Sequence, residues 1–206
     1  MKITQDIQPS EMYSAHVSAP FDEAKKALEE DKYRIISLEE NALLRVQQGK
    51  DSFVSQNGNL TREGFLILPD NKFYLTKKSP IMGFPKEATQ AHRIGSEYFL
   101  MDKQVQRALE DSVEVTNREI PTDRFGEDAL TVYAFGKQAE VYGLFLKDAN
   151  NIREMKILLP NPEKEPFARQ LWFRYLDDRS DLLGTLRNLP FDNRMRGVRK
   201  NFSTGN

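Results

Sequence analysis

From Asp177 to Asn193 the chain sustains neither the 3.6-residue period of a helix nor the alternation of a strand. A long irregular stretch inside a compact domain is either functional or disordered. Leu176, Leu182, Leu183, Leu186, Leu189 and Phe191 recur through this one. Each is worth roughly 1.5–3 kcal/mol when fully buried, so an ordered, anchored segment is expected. Between them stand Arg174, Tyr175, Asp177, Asp178, Arg179, Asp181, Thr185, Arg187, Asn188, Asp192 and Asn193. Guanidinium forks, carboxylate acceptors, amides and a rigid phenol make a set that is paratope-like in composition. A solvated, charge-rich terminal loop is the ordinary alternative for the same pattern.

The rest of the chain must supply the framework. At 206 residues it is long enough for a substantial core, and 39% apolar with 30% charged residues is ordinary globular usage. Net charge is −1, against a general nucleic-acid binder. Residues 169–200 nevertheless hold eight Lys/Arg and four Asp/Glu, a net of +4. The cluster Arg187, Arg194, Arg196, Arg199 and Lys200 could follow a phosphate backbone, although the interspersed aspartates would repel it. There is no cysteine, which excludes disulfides, thiolate catalysis and Cys-based zinc sites. No apolar run reaches membrane-spanning length, and "MKITQDIQPSEMYSAH" has no hydrophobic leader core, so cytosolic synthesis is the default expectation.

Along the chain, residues 1–20 read as a polar N-terminal arm and 21–206 as one domain. Helices are expected over 21–35, 36–50 (stopped near Gly49), 84–95, 103–112 (capped by Asp102) and 137–149. Asn57-Gly58 and "PDN" suggest two hairpins, making 52–76 a β-meander. Further strands are expected at 97–101, 113–116, 130–136 and 153–160, with a proline-rich turn after that. Helices and strands mix without β-α-β alternation, which favours an α+β fold.

Catalytic signatures are missing. His16 and His92 are far apart in sequence, no nucleophile elbow accompanies them, and neither a Walker loop nor G-x-G-x-x-G occurs. "DDRSDLLG" fails as a calcium loop. Counting from Asp177, Arg179 and Leu182 occupy the third and sixth positions, where an oxygen ligand and a glycine are needed. Neither a metal nor a cofactor is expected.

The framework "FARQLWF" (167–173), Leu176, Ser180, Leu182, Gly184, Leu189 and "RGV" (196–198) resembles the variable proteins of diversity-generating retroelements, most of all their archaeal members. "QNGNLTREGF" and "LTKKSPI" add a weaker similarity. The resemblance implies a C-type lectin fold with the variable region at 168–200. It makes Trp172, Phe173, Leu176, Ser180, Leu182, Gly184, Leu189, Arg196 and Gly197 scaffold, with "RGV" in a closing strand. The diversified, ligand-facing set would be Arg174, Tyr175, Asp177, Asp178, Arg179, Asp181, Leu183, Thr185, Arg187, Asn188, Phe191, Asp192 and Asn193. The implied function is recognition of an unknown ligand, expected to be a protein or other macromolecule, with no catalysis. The calcium–sugar motif of animal C-type lectins is absent, so sugar binding does not follow from the fold. An enzyme, or a nucleic-acid-binding domain using the basic cluster, is the competing reading.

Overall fold

A computed structural model describes residues 3–5, 12–177, 179–185 and 189–200, the last without its side chain. The first strands are β1 (Thr4–Gln5) and β2 (Met12–Ala19). β2 buries Ala15, Val17 and Ala19, so residues 12–19 belong to the sheet and not to an arm, correcting the sequence expectation. Its small side chains gave only a faint alternating signal.

Pro20 precedes α1 (Phe21–Glu30), which buries Phe21, Ala24 and Leu28 on one face. After β3 (Arg34–Ile35), a reciprocal capping box between Ser37 and Glu40 starts α2 (Leu38–Gln48), and Gly49 ends it. Residues 53–56 form a short helix, α3 (Phe53–Gln56), not a strand, because the Ser52 hydroxyl accepts the Ser55 N–H. The chain then enters β4 (Asn59–Leu68), so Asn57-Gly58 is not a hairpin. The expected second hairpin is present. β4 pairs antiparallel with β5 (Lys72–Thr76) around Asp70 and Asn71, both left-handed at φ 64° and 60°.

A 3₁₀ turn (Pro80–Gly83) leads to α4 (Pro85–Arg93), followed by α5 (Asp102–Leu109), β6 (Ser112–Val115) and β7 (Arg118–Pro121). The expected strand at 97–101 is reduced to a single bridge between Phe99 and Phe167. Residues 130–136, also read as a strand, are mostly helix: Asp128 Oδ1 accepts from Leu130 N (3.0 Å) and Thr131 N (3.1 Å), capping α6 (Ala129–Phe135). α7 (Ala139–Leu144) runs on into a π turn (Phe145–Ala149). Four strands complete the described chain: β8 (Glu154–Leu158), β9 (Phe167–Phe173), β10 (Leu182–Leu183) and β11 (Asn193–Lys200).

Among the described residues these eleven strands form one sheet, ordered β1-β2-β11-β4-β9-β10-β8-β7, with β3 on β11, β5 on β4 and β6 on β5. β11 lies between β2, which it pairs antiparallel from Asn193↔Ala19 to Lys200↔Met12, and β4, which it meets in parallel. Period-two alternation sends central side chains to opposite faces. Phe65, Ile67, Phe167, Leu171 and Phe173 join the α2/α6/α7 core, while Leu60, Leu66, Ala168 and Met195 join the α1/α4 core. The irregular segment thus starts from one central strand, β9, and ends in another, β11.

Candidate functional site

At the end of β9, Phe173 is buried and Arg174 turns outward, half-buried. The turn is pinned from below by Arg45, a fully buried arginine on α2. Its guanidinium lies 3.9 Å from the centre of the Phe173 ring, donates to the Arg174 carbonyl (2.7 Å) and donates to the Tyr142 hydroxyl (3.0 Å). The same hydroxyl shares a 2.7 Å hydrogen bond with Ser180 Oγ. One buried polar chain therefore holds both the start and the middle of the segment. Sequence reasoning named Ser180 but not Arg45 or Tyr142. No local pattern sets an arginine on a mainly apolar helix face apart from its exposed neighbours.

Further anchors follow at short intervals. Leu176 N donates to the Ser55 carbonyl (2.7 Å) and its side chain packs on the α2/α6/α7 core. Leu182 and Leu183 pair antiparallel with β9 and parallel with β8, and Leu182 is buried. Gly184 N donates to the Leu158 carbonyl (2.8 Å), and a Cβ there would meet Phe65 Cδ2 at 2.6 Å, so only glycine fits this approach. Leu189 is buried, and its carbonyl accepts from Phe21 N (2.8 Å). Trp172 is half-buried; Arg196 and Gly197 are buried in β11.

Between the anchors, side chains reach solvent. Tyr175 is 40% and Phe191 67% exposed, large values for aromatic rings. Asp177, Arg179, Thr185 and Asp192 are exposed as well, while Leu183 and Asn193 are half-buried. Arg174 Nη2 donates to Asp177 Oδ2 (3.1 Å), and its guanidinium carbon sits 5.4 Å from the centre of the Tyr175 ring. Burial alone would raise the Asp177 pKa, but the Arg174 hydrogen bond and charge outweigh it and hold the carboxyl below its ordinary value. Asp178, Arg187 and Asn188 lie outside the described residues.

Asp181 departs from the expected solvent-facing set. It is fully buried, and its Oδ1 accepts from Lys156 N (3.1 Å), tying the segment to β8. Desolvation raises its pKa against the pull of that N–H and of Arg174, Arg179 and Lys156. In sequence it is one more aspartate of the charge-rich "DDRSD" run, so nothing local separates it from Asp177.

Of the basic cluster, Arg187 and the Lys200 side chain lie outside what the structure describes, and the three described side chains have different surroundings. Arg196 is buried beneath the surface, with its pKa lowered to about 10 by desolvation. Arg199 stacks over Tyr33 at 4.6 Å, and Arg194 donates to Asn57 Oδ1 (2.8 Å) while lying 5.0 Å from the centre of the Phe53 ring. That ring stacks on His16 at 4.5 Å. Phe53, 42% exposed, therefore extends the aromatic–cationic surface beyond Asn193. The sequence reading missed it because 53–56 was expected in a meander. His92, the other histidine, is buried with Nε2 3.6 Å from Glu97 Oε2, which also accepts from Arg169 Nε (2.6 Å).

Among solved structures, the chain matches a protein from Nanoarchaeota described as accommodating massive sequence variation by the C-type lectin fold. The TM-score is 0.66, at 17% identity, over 95% of this chain and 100% of that one. The chain has a C-type lectin fold. No protein-family model and no curated protein matches it. In this C-type lectin fold the segment is held by strands and helices on both sides. No helix among the described residues is long and apolar enough to cross a membrane.

Proposed function

We propose that the segment joining β9 to β11 is a ligand-recognition surface whose outward side chains are diversified by a retroelement while its anchors stay fixed. The observation that carries this reading is the interleaving of buried Ser180, Asp181, Leu182, Gly184 and Leu189 with exposed Tyr175, Asp177, Arg179, Thr185 and Phe191. Exposed aromatics beside arginine are the residue types that dominate binding hot spots. An outward-facing set of aromatic and charged side chains suits a protein or other macromolecule, and its work is recognition, not catalysis. The Nanoarchaeota structure supports the reading because that protein is described as carrying massive sequence variation on the same fold.

Deep sequencing of the gene across its source population tests it. Substitutions are expected to cluster at adenine-derived positions in the codons for Arg174, Tyr175, Asp177, Asp178, Arg179, Leu183, Thr185, Arg187, Asn188, Phe191, Asp192 and Asn193. Leu176, Ser180, Asp181, Leu182, Gly184 and Leu189 should stay constant. Equal variation over 59–76, or none in either window, would remove diversification from the account.

A further inference from the structure

Away from the C-terminal segment, a cavity of about 400 Å³ opens between the 3₁₀ turn Pro80–Gly83 and α5. Three cations line it: Lys78, Lys103 and Arg107. None of the three has an ion pair or side-chain hydrogen bond among the described residues. Lys103 and Arg107 are four apart on α5, the spacing at which like charges repel along a helix. The lining holds one carboxylate, Asp111, whose Oδ1 accepts from the Tyr133 hydroxyl (3.4 Å), as does its backbone carbonyl (2.8 Å), so the cations outnumber it three to one.

A second cleft shows the contrast. Between α1 and α4 a volume of about 560 Å³ is lined by Lys25, Lys26 and Lys86, but Lys25 and Lys26 are paired on their own helix with Glu29 (2.7 Å) and Glu30 (3.7 Å), and Asp22 and Glu23 add two more carboxylates. The first cavity is lined by three cations and one carboxylate, the second by three cations and four carboxylates, so of the two it is the first that carries net positive charge. It also has an apolar wall of Pro80, Phe84 and Ala108. The Phe84 ring stacks on Tyr98 at 5.8 Å, and Gln104 Nε2 donates to the Tyr98 hydroxyl (3.4 Å), which fixes the wall in place. The volume falls in the range of small-ligand sites, where apolar walls and a few convergent polar groups are the rule.

We propose that this cavity binds a small organic phosphate monoester, the dianionic head between Lys78, Lys103 and Arg107 and the apolar body against Phe84. Arginine's planar fork and two mobile ammonium groups match a tetrahedral dianion, and three cations against one carboxylate leave a lining that favours a double negative charge over a single one. The proposal is independent of what the C-terminal segment recognises.

Isothermal titration of the full chain with phenyl phosphate tests it, with inorganic phosphate and phenol as comparison ligands. One saturable site with Kd below about 1 mM is expected, at least about tenfold tighter than for either fragment. The double variant Lys103→Gln/Arg107→Gln, at exposed positions, should weaken it about tenfold or more. Phe84→Ala should erase the preference over inorganic phosphate, and Lys25→Gln/Lys26→Gln should change nothing. Absent saturation in the millimolar range, equal affinity for inorganic phosphate, or an unaffected Lys103/Arg107 variant would each overturn the proposal.

Discussion

Glu63 on β4 is buried, and its carboxylate sits where charge is costly. Its Oε2 accepts from Leu38 N (3.0 Å) at the start of α2, and Arg62 lies 3.8 Å from Oε1. Desolvation outweighs both and pushes its pKa up from 4.5 to about 7. The folded chain therefore holds this proton more tightly than the unfolded one. The group's contribution to stability is complete below about pH 4.5 and is lost as pH rises towards about 7, a change on the order of 3 kcal/mol. Glu63→Gln keeps an oxygen for Leu38 N and removes the titration. Urea unfolding from pH 4 to 8 should show the parent losing stability relative to the variant across that window. Parallel pH profiles would mean that the carboxyl is not desolvated as described.

At the scale of elements, legibility followed the strength of local chemistry. α1 and α2 were readable because apolar spacing, acidic first turns and Gly49 agree. The hairpin at Asp70-Asn71 was readable because its turn demands those residues. α6 was misread: "LTVYAF" has β-branched and aromatic residues, yet buried Leu130, Thr131, Ala134 and Phe135 follow a helical face and Asp128 caps it. The Asn57-Gly58 signal has another cause, since a Cβ at Gly58 would sit 2.7 Å from the Trp172 ring. β2 was hidden because its partner, β11, is nearly the whole chain away, and long-range pairing leaves no local mark. Its place in the sheet makes a direct prediction. A chain beginning at Pro20 loses Ala15, Val17 and Ala19 from the core and leaves one edge of β11 unpaired. Calorimetry should then show no cooperative transition, whereas a dispensable arm would leave the transition near its original temperature.

For the whole molecule, recognition of the kind proposed requires that stability and display be carried by different side chains. Within the segment the buried residues touch both cores: Leu182 belongs to the α2/α6/α7 cluster and Leu189 to the α1/α4 cluster. Tyr175, Arg179, Thr185, Phe191 and Asp192 point outward from the same backbone. Exposed substitutions usually stay within about 0.5 kcal/mol each, while truncating a buried leucine costs about 2–5 kcal/mol. In a chain of this size about 1 kcal/mol shifts Tm by roughly 2–4 °C. Changing all five outward residues to serine together should therefore lower Tm no more than the single variant Leu182→Ala does, and scanning calorimetry of the two proteins compares them directly. A larger fall in the fivefold variant would mean that the outward side chains themselves hold the segment in shape. Diversifying them would then cost the fold, and a fixed-ligand surface would replace the diversified one as the reading of this C-type lectin fold.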